Sequence, residues 1–331
     1  MKTTTIRQAG LARREMLKIG LGAGVLGLGA PLGLRATDAR AADFEQAPAY
    51  FRFQHGEMTV TIVSDGHLEI PSAGVAANVD EAEVKAFLRA HFLSEDTNYA
   101  HTNHVLIETG DRMVLVDVGS GERFMPTAGK LVANLDAAGI APEDVTDVAL
   151  THAHPDHVWG LLDEFEDGPR FPEAAHTIGA AEFDWWMADG RVDMLPDDLK
   201  PFAVGARKSF EPMADQIAMA TDGQEIAPGI RMIATPGHTP GHMSLLVESA
   251  GETLLVTGDA INHGYAAFAH PDWEPGFDYE KAEAVATRKQ LLDMCATDRL
   301  TLAGYHLPFP GVGHVARDGG AYRFVPALWN W

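Results

Sequence analysis

Thr151-His152-Ala153-His154-Pro155-Asp156-His157 is the stretch that decides the fold, and it completes an apolar segment at 145–151 that is predicted to be a buried strand. Three histidines and one aspartate lie within six residues, and imidazole and carboxylate are donors that hold divalent transition metals. The first two histidines are two residues apart, so in an extended segment both point to one side and can reach one cation. The proline turns the chain, which lets the aspartate and the last histidine reach a second cation. The competing interpretation is a polar surface loop with structural histidines.

Three further segments offer metal-binding side chains, each after a predicted strand: 230–234, 253–257 and 300–304. The first strand is followed by His238, the second by Asp259 and the third by His306. Asp259 has two oxygens and could bridge two cations. One such residue at the end of one strand is often structural. Together, however, side chains on loops at one sheet edge predict the rest of a two-metal site.

Two apolar strands in different parts of the chain end in the same way. Met113 to Gly119 and Thr253 to Asp259 each deliver an aspartate beside a glycine. This repetition predicts two related halves, each a sheet covered by outer helices, packed face to face. The expected fold is therefore α/β, a four-layer αββα sandwich with its binding loops at one sheet edge.

The remaining predicted elements fit two such halves. Periodicity and turn residues predict a strand at 59–63, a helix at 80–92, a hairpin of 105–107 with 113–116, a helix at 127–138, a strand at 243–247 and a helix at 279–295. Asp80 is the expected N-cap of the first helix, and Gly139 is the expected end of the second.

The charge balance excludes several classes of function. The 331 residues include 25 Lys and Arg against 47 Asp and Glu, which gives a formal net charge of −22. Nucleic acid and anionic membrane surfaces would repel such a chain, so neither is expected as a partner. Cys295 is the only cysteine, which excludes an intramolecular disulfide and a thiolate metal cluster.

The first 41 residues differ from the rest of the chain. Basic residues that include Arg13-Arg14 precede a glycine-rich apolar run from Ile19 to Leu34, and Ala39-Arg40-Ala41 offers a small-x-small cleavage site. The paired arginines resemble the twin-arginine export motif, and the apolar run is shorter than the roughly 20 residues of a transmembrane helix. We expect a signal peptide over 1–41, a mature domain over 42–331, and a periplasmic or secreted protein without stable membrane insertion. A retained membrane anchor or a basic tail is the alternative.

Four motifs together resemble one family: THAHPDH at 151–157, GHTPGH at 237–242, TGD at 257–259 and the late His306. They are similar to those of the metallo-β-lactamase superfamily of αββα hydrolases. The resemblance implies seven ligands for two divalent cations. The first cation would be held by His152, His154 and His238, the second by Asp156, His157 and His306, and Asp259 would bridge both together with a hydroxide. Asp259 and Asp156 would thereby take part in catalysis.

The resemblance also implies supporting roles and a metal type. His242 is not a family ligand and is expected to orient its loop by hydrogen bonds. Asp117 and Asp65 are expected to support ligands or turns rather than bind metal. Neutral imidazoles with two carboxylates favour zinc, with manganese, iron or cobalt as alternatives. Relatives suggest a homodimer.

Three longer segments look like one branch of the superfamily, methyl parathion hydrolase and its relatives. They are HAHPDHVWG from His152, HLPFPGVGH from His306 and YRFVP from Tyr322. That branch has a large apolar pocket, and by analogy Phe124, Trp186 and Phe202 would line the part that holds the leaving group. The alternative is that these aromatic side chains belong to the ordinary core.

The resemblance implies hydrolysis of a small-molecule ester, in which two cations lower the pKa of a bridging water to about 7. A phosphotriester or aryl ester fits the branch. A lactonase, such as an N-acyl homoserine lactonase, shares all seven ligands. Those enzymes commonly carry a tyrosine three residues after the bridging aspartate, however, where this chain has Asn262.

Other members of the superfamily fit less well. Glyoxalase II normally shows glycine-rich and basic glutathione contacts that this chain lacks, and true β-lactamases differ in the segment that follows His306. The acidic charge disfavours the RNA-processing members. From another class, a non-hydrolytic redox or metal-binding member is the alternative. The di-iron redox members replace the second histidine of the motif with glutamate, whereas His154 is intact here.

Overall fold

The computed structural model describes residues 49–163 and 168–328. The chain divides into two units between Gln46 and Ala47, and all described residues belong to the second unit. The predicted export signal at 1–41 therefore lies outside the described residues. Within the described ranges, the structure contains no helix that is both long and apolar enough to cross a membrane.

In the described chain, the first sheet has seven strands that are neighbours in sequence order. They are β1 Tyr50–His55, β2 Met58–Pro71, β3 Thr97–Thr109, β4 Arg112–Val116, β5 Asp147–Leu150, β6 Ala175–Gly179 and β7 Ile217–Ala220. Strands β1 to β4 pair antiparallel, whereas β4 to β7 pair parallel. Parallel neighbours place their carboxyl ends at one edge, so the loops that follow β4 and β5 lie side by side.

The second sheet, within the same described ranges, also has seven strands. They are β8 Gln224–Ala227, β9 Ile230–Ala234, β10 Met243–Ser249, β11 Glu252–Val256, β12 Thr301–Ala303, β13 Val312–Asp318 and β14 Ala321–Pro326. Only β11 and β12 pair parallel among these described strands. Their parallel pairing brings the segments after Val256 and after Ala303 to the same edge of the sheet.

Between the strands, the described chain forms eight α-helices. They are α1 Glu81–Ala90, α2 Leu131–Ala137, α3 Pro155–Val158, α4 Ala180–Met187, α5 Arg191–Met194, α6 Lys200–Phe210, α7 Ala266–Ala269 and α8 Lys281–Asp298. Side chains of α2, α3, α4 and α6 pack in one cluster with the outward-facing residues of the first sheet. Side chains of α7 and α8 pack in another with residues of the second sheet.

Alternation along the strands produces this layering, because successive side chains point to opposite faces of a sheet. Val114 lies between the two sheets, whereas its neighbour Leu115 packs against the helices. In the second sheet Leu254 lies between the sheets and Leu255 faces the cluster of α8. The four-layer αββα sandwich that the sequence predicts is confirmed.

The predicted helices are present with shifted ends. Asp80 caps α1, since its side chain accepts a hydrogen bond from the Ala82 backbone N–H at 2.8 Å. Helix α2 begins at Leu131 instead of 127, because Gly129 adopts a left-handed φ of +78° that a right-handed helix cannot contain. The predicted end at Gly139 is correct, with φ of +81° after the last turn.

Candidate metal centre

The histidine-rich stretch crosses from a strand into a helix. Strand β5 ends at Leu150, and α3 begins at Pro155, with His154 as the residue before it. Proline suits the first position of a helix because its fixed φ is already helical and its missing N–H is not needed there. His152 and His154 therefore lie in extended chain, whereas Asp156 and His157 lie in one helical turn.

The seven predicted ligands are brought together in two groups. The first group is His152, His154, His238 and Asp259, and the second is Asp156, His157 and His306. Within each group the candidate ligand atoms all lie within 4.8 Å of one another. They come from loops at the edges of both sheets, so the site lies where the two sheets meet.

Asp259 contacts both groups. Its Oδ2 lies 3.3 Å from His238 Nε2, in the first group, and 3.1 Å from His306 Nε2, in the second. Its Oδ1 lies 3.4 Å from His157 Nε2. One carboxylate thus reaches the donors of both groups, which is the placement that a bridging ligand requires.

Several of these donor atoms are buried without a hydrogen-bond partner in the described part of the chain. They are His152 Nε2, His154 Nε2, His157 Nε2, Asp156 Oδ2 and Asp259 Oδ1. Each unsatisfied buried polar atom costs about 1–3 kcal/mol, and a cation would satisfy several at once. Imidazole and carboxylate donors fit zinc and related divalent metals. The donor set therefore fits two such cations.

The candidate ligands differ in their protonation. Burial lowers the pKa of His152 and of His154 well below the usual value, which leaves both imidazoles neutral. Burial alone would raise the pKa of Asp259, but the nearby imidazoles of His306 and His157 hold it well below the usual value. Burial alone would lower the pKa of His157, His238 and His306, but the nearby carboxylates raise it, to about 9 for His238, so a cation that binds these three rings must displace a proton from each.

Hydrogen bonds on the far side of three rings fix their orientation. His157 Nδ1 donates to Asp117 Oδ2 at 2.7 Å. His238 Nδ1 donates to Asp278 Oδ1 at 2.8 Å, and His306 Nδ1 donates to a backbone carbonyl at 2.7 Å. Because Nδ1 is held by these acceptors, Nε2 faces the centre and is the nitrogen left to bind a cation.

The supporting residues expected from the sequence occupy supporting positions. Asp117 accepts hydrogen bonds from the backbone and side chain of Thr151 at 2.7 and 2.8 Å, in addition to His157. Asp65 accepts from two backbone N–H groups, those of Ser120 and Leu131. His242 Nε2 accepts from the Asp259 backbone N–H at 3.0 Å. These bonds hold the loops that carry the predicted ligands.

A buried ion pair behind His238 was not predicted from the sequence. Asp278 also accepts from Arg288 Nη2 at 2.9 Å, and Arg288 is only 1% exposed. The same guanidinium donates to the backbone carbonyls of Pro271 and Trp273. No local motif marks this pair: Asp278 lies in a loop and Arg288 in the middle of α8.

Glu182 is a second supporting residue that sequence analysis missed. It is fully buried in α4, where burial raises its pKa. Its carboxyl group accepts from the Ala153 backbone N–H at 3.0 Å, and from Thr239 Oγ1 and the Gly241 backbone N–H at 2.7 and 3.1 Å. Glu182 thus ties the histidine-rich stretch to the loop that carries His238.

An apolar cavity of about 240 Å³ lies beside the two groups. Its polar end includes His154, Asp156, His238, Asp259 and His306. Its apolar walls include Leu68, Ile70, Val75, Met125 and Phe277, together with the predicted Phe124 and Phe202. A small molecule with one apolar part and one hydrolysable polar part fits this division.

The prediction that Trp186 lines this pocket is wrong. Trp186 is fully buried in the cluster between α4, α6 and the first sheet, and its Nε1 donates to Glu182 Oε1 at 2.6 Å. A tryptophan with its N–H satisfied among core residues is a packing residue. Its ring stands 6.0 Å from that of His154 and supports it from behind.

Residues 99–306 match the family model of the metallo-beta-lactamase superfamily. The chain belongs to this superfamily. It is a metal-dependent hydrolase of that family, as the sequence motifs predict, and its fold agrees with the assignment. The finer prediction of a methyl parathion hydrolase branch is not specifically supported by this match.

Relatives and solved structures extend the comparison. N-acyl homoserine lactonase AttM of Agrobacterium fabrum is 29% identical over 191 residues, which are 54% of this chain and 64% of AttM. AidC, a dizinc quorum-quenching lactonase solved with a product, N-hexanoyl-L-homoserine, superposes with a TM-score of 0.80 at 26% identity, covering 85% of this chain and 98% of AidC. AbOPH, a hydrolase in the β-lactamase superfamily, superposes with a TM-score of 0.80 at 26% identity, covering 86% of this chain and 100% of AbOPH. The chain spans slightly less than two thirds of AttM.

Proposed function

We propose that this protein is a two-zinc lactonase that opens the ring of N-acyl homoserine lactones. The observation that carries the proposal is the cavity, which joins apolar walls to five of the seven candidate ligands. An acyl chain would pack on the walls while the lactone reaches the polar end. The similarity to AidC and AttM supports this assignment.

In such a reaction, different residues of the chain have different roles. His152, His154 and His238 would hold one cation, Asp156, His157 and His306 the other, with Asp259 between them. When bound, the two cations supply an activated water and polarise the ester carbonyl. Asp117 and Asp278 hold their imidazole partners in the metal-binding tautomer. The walls of the cavity exclude bulk water and position the acyl chain.

Phosphotriester or aryl ester hydrolysis is the second candidate. One observation favours it: Asn262 lines the cavity at the position where lactonases commonly carry a tyrosine. The sequence around His306 and the resemblance to methyl parathion hydrolase point the same way. Both activities would use the same cations and differ in how the cavity holds the substrate.

The zinc-loaded protein should prefer a lactone over a phosphotriester. We expect kcat/KM for N-hexanoyl homoserine lactone to exceed that for a p-nitrophenyl phosphotriester by about 100-fold, equal to about 2.7 kcal/mol. Both substrates are measured at one pH, with chelator-treated protein as the control for spontaneous hydrolysis. A preference for the phosphotriester would replace the lactonase assignment with the second candidate.

Two aromatic variants should separate the cavity wall from the core. Phe124→Ala should weaken the preference for long over short acyl chains, because Phe124 lines the cavity. Trp186→Ala should leave that preference unchanged and lower the free energy of unfolding by about 3–5 kcal/mol, since it empties a core position. Chain-length profiles and urea unfolding test both variants together. A changed acyl-chain-length preference in Trp186→Ala would instead mean that Trp186 contributes to the substrate site.

We further propose that the protein acts in the periplasm or outside the cell, and that it is exported from the cytoplasm by the twin-arginine route. The support is the sequence of residues 1–41, with its paired arginines, short apolar run and small-residue cleavage site. A homodimer stays a prediction from the resemblance.

A further inference from the structure

His263 is a cavity residue that does not belong to the seven candidate ligands. It follows the short helical turn Gly258–Ala260 and precedes α7. Its side chain is 7% exposed and lines the same cavity as Asp259 and His306. No motif of the sequence singles it out, and metal binding does not require it.

The hydrogen bonds of His263 fix its tautomer. Its Nδ1 lies 3.1 Å from the backbone nitrogen of Tyr265 and 3.1 Å from that of Ala266, at the start of α7. Backbone N–H groups can only donate, so Nδ1 must accept and carries no proton. The proton of the neutral ring is therefore on Nε2.

Nε2–H is the free donor of this ring. Within the described part of the chain, both hydrogen bonds of His263 are made by Nδ1 and none by Nε2. Because Nδ1 is turned toward α7, the opposite edge of the ring is the one left to face the cavity. Burial, with His91 adding a smaller effect, lowers the pKa of His263 to about 4. The ring stays neutral near pH 7 and keeps one donor.

An N-acyl homoserine lactone carries two carbonyl groups that need partners in such a cavity. The ester carbonyl is the reacting group and belongs at the polar end with the candidate ligands. The amide carbonyl would otherwise be buried against apolar walls, where a lost hydrogen bond costs about 1–3 kcal/mol. A neutral donor on the cavity wall removes this cost without burying a charge.

We propose that His263 donates a hydrogen bond from Nε2–H to the amide carbonyl oxygen of the substrate and so selects acylated amino-lactones over plain lactones. This inference rests on the proposed lactonase function. His263 is then a specificity residue. Its effect should depend on whether the substrate has an amide.

Two substitutions separate the two nitrogens of the ring. His263→Asn places a carbonyl oxygen where Nδ1 lies, which keeps an acceptor for the N–H groups of α7 but removes the donor at Nε2. His263→Gln places an amide N–H near the position of Nε2 and restores the donor. His176→Leu is the matched control, since His176 is 3% exposed on β6 and does not line the cavity.

The test measures KM and kcat of zinc-loaded variants on N-hexanoyl homoserine lactone and on γ-decalactone, which has no amide. His263→Asn should lower kcat/KM on the first substrate about 10–100-fold, mainly through KM, and on the second less than about 3-fold. His263→Gln should recover most of the loss. Equal losses on both substrates, or no loss on the first, would overturn the inference, as would the same selective loss in His176→Leu.

Calorimetric binding of N-hexanoyl-homoserine, the ring-opened amide, to the zinc-loaded protein separates this inference from the proposed function. Weaker binding to His263→Asn than to wild type supports His263 even if wild type hydrolyses neither lactone, in which case only the lactonase assignment fails. Unchanged binding to His263→Asn overturns the inference whatever the turnover.

Discussion

Asp259→Ala should abolish most turnover and release metal from the site. We expect kcat/KM to fall by at least about 1,000-fold, equal to about 4 kcal/mol, because Asp259 reaches donors of both groups. Without Asp259, no carboxylate between the two groups offsets the repulsion between two adjacent cations. Metal content per chain, measured by elemental analysis after gel filtration, should fall together with activity.

Two further variants define what Asp259 contributes. Asp259→Asn keeps the shape and removes the charge, so a loss as large as that of the alanine variant would assign the effect to charge. Asp111→Ala removes an exposed carboxylate in the turn between β3 and β4 and should keep full activity and metal. Retention of two metals and full turnover in Asp259→Ala would contradict the two-metal site.

The ligand positions could be predicted from the sequence because they follow from local patterns. Each predicted ligand comes directly after an apolar strand or in a turn-rich loop, and strand ends meet at one sheet edge. The two halves could be predicted because the aspartate–glycine repetition is likewise a local pattern, found at the ends of two apolar strands. Strands β8 and β14, which were not predicted, contain only one buried residue between them and therefore carry little apolar pattern.

What the sequence could not provide was the direction of side chains and their distant partners. Trp186 and Phe202 both lie in helices between β6 and β7 and are both aromatic, yet one is core and the other lines the cavity. The face of α4 on which Trp186 lies places its side chain in the core, and amino-acid composition does not predict that orientation. Asp278 meets His238 across 40 residues of chain, and only the packing of α8 brings Arg288 to the same carboxylate.

The Asp278–Arg288 pair should therefore carry the second large effect. Asp278→Ala leaves the guanidinium of Arg288 buried without its carboxylate, which is expected to lower the free energy of unfolding by about 3–5 kcal/mol. It also removes the acceptor of His238 Nδ1, so zinc affinity should fall about 10–100-fold. Urea unfolding and competition with a zinc chelator measure the two effects separately. The exposed pair of Asp293 and Arg317 is the control, and Asp293→Ala should leave the urea midpoint and the zinc affinity nearly unchanged.

A double variant distinguishes a structural role of Asp278 from a positioning one. Asp278→Leu with Arg288→Met removes both buried charges, so much of the lost stability should return because neither charge is left unpaired. Zinc affinity should stay low, since His238 Nδ1 still lacks an acceptor and the ring can take the other tautomer. Recovery of zinc affinity together with stability would instead mean that Asp278 acts only through the fold. A stability gain without that recovery would show that this buried pair is retained for the orientation of one imidazole.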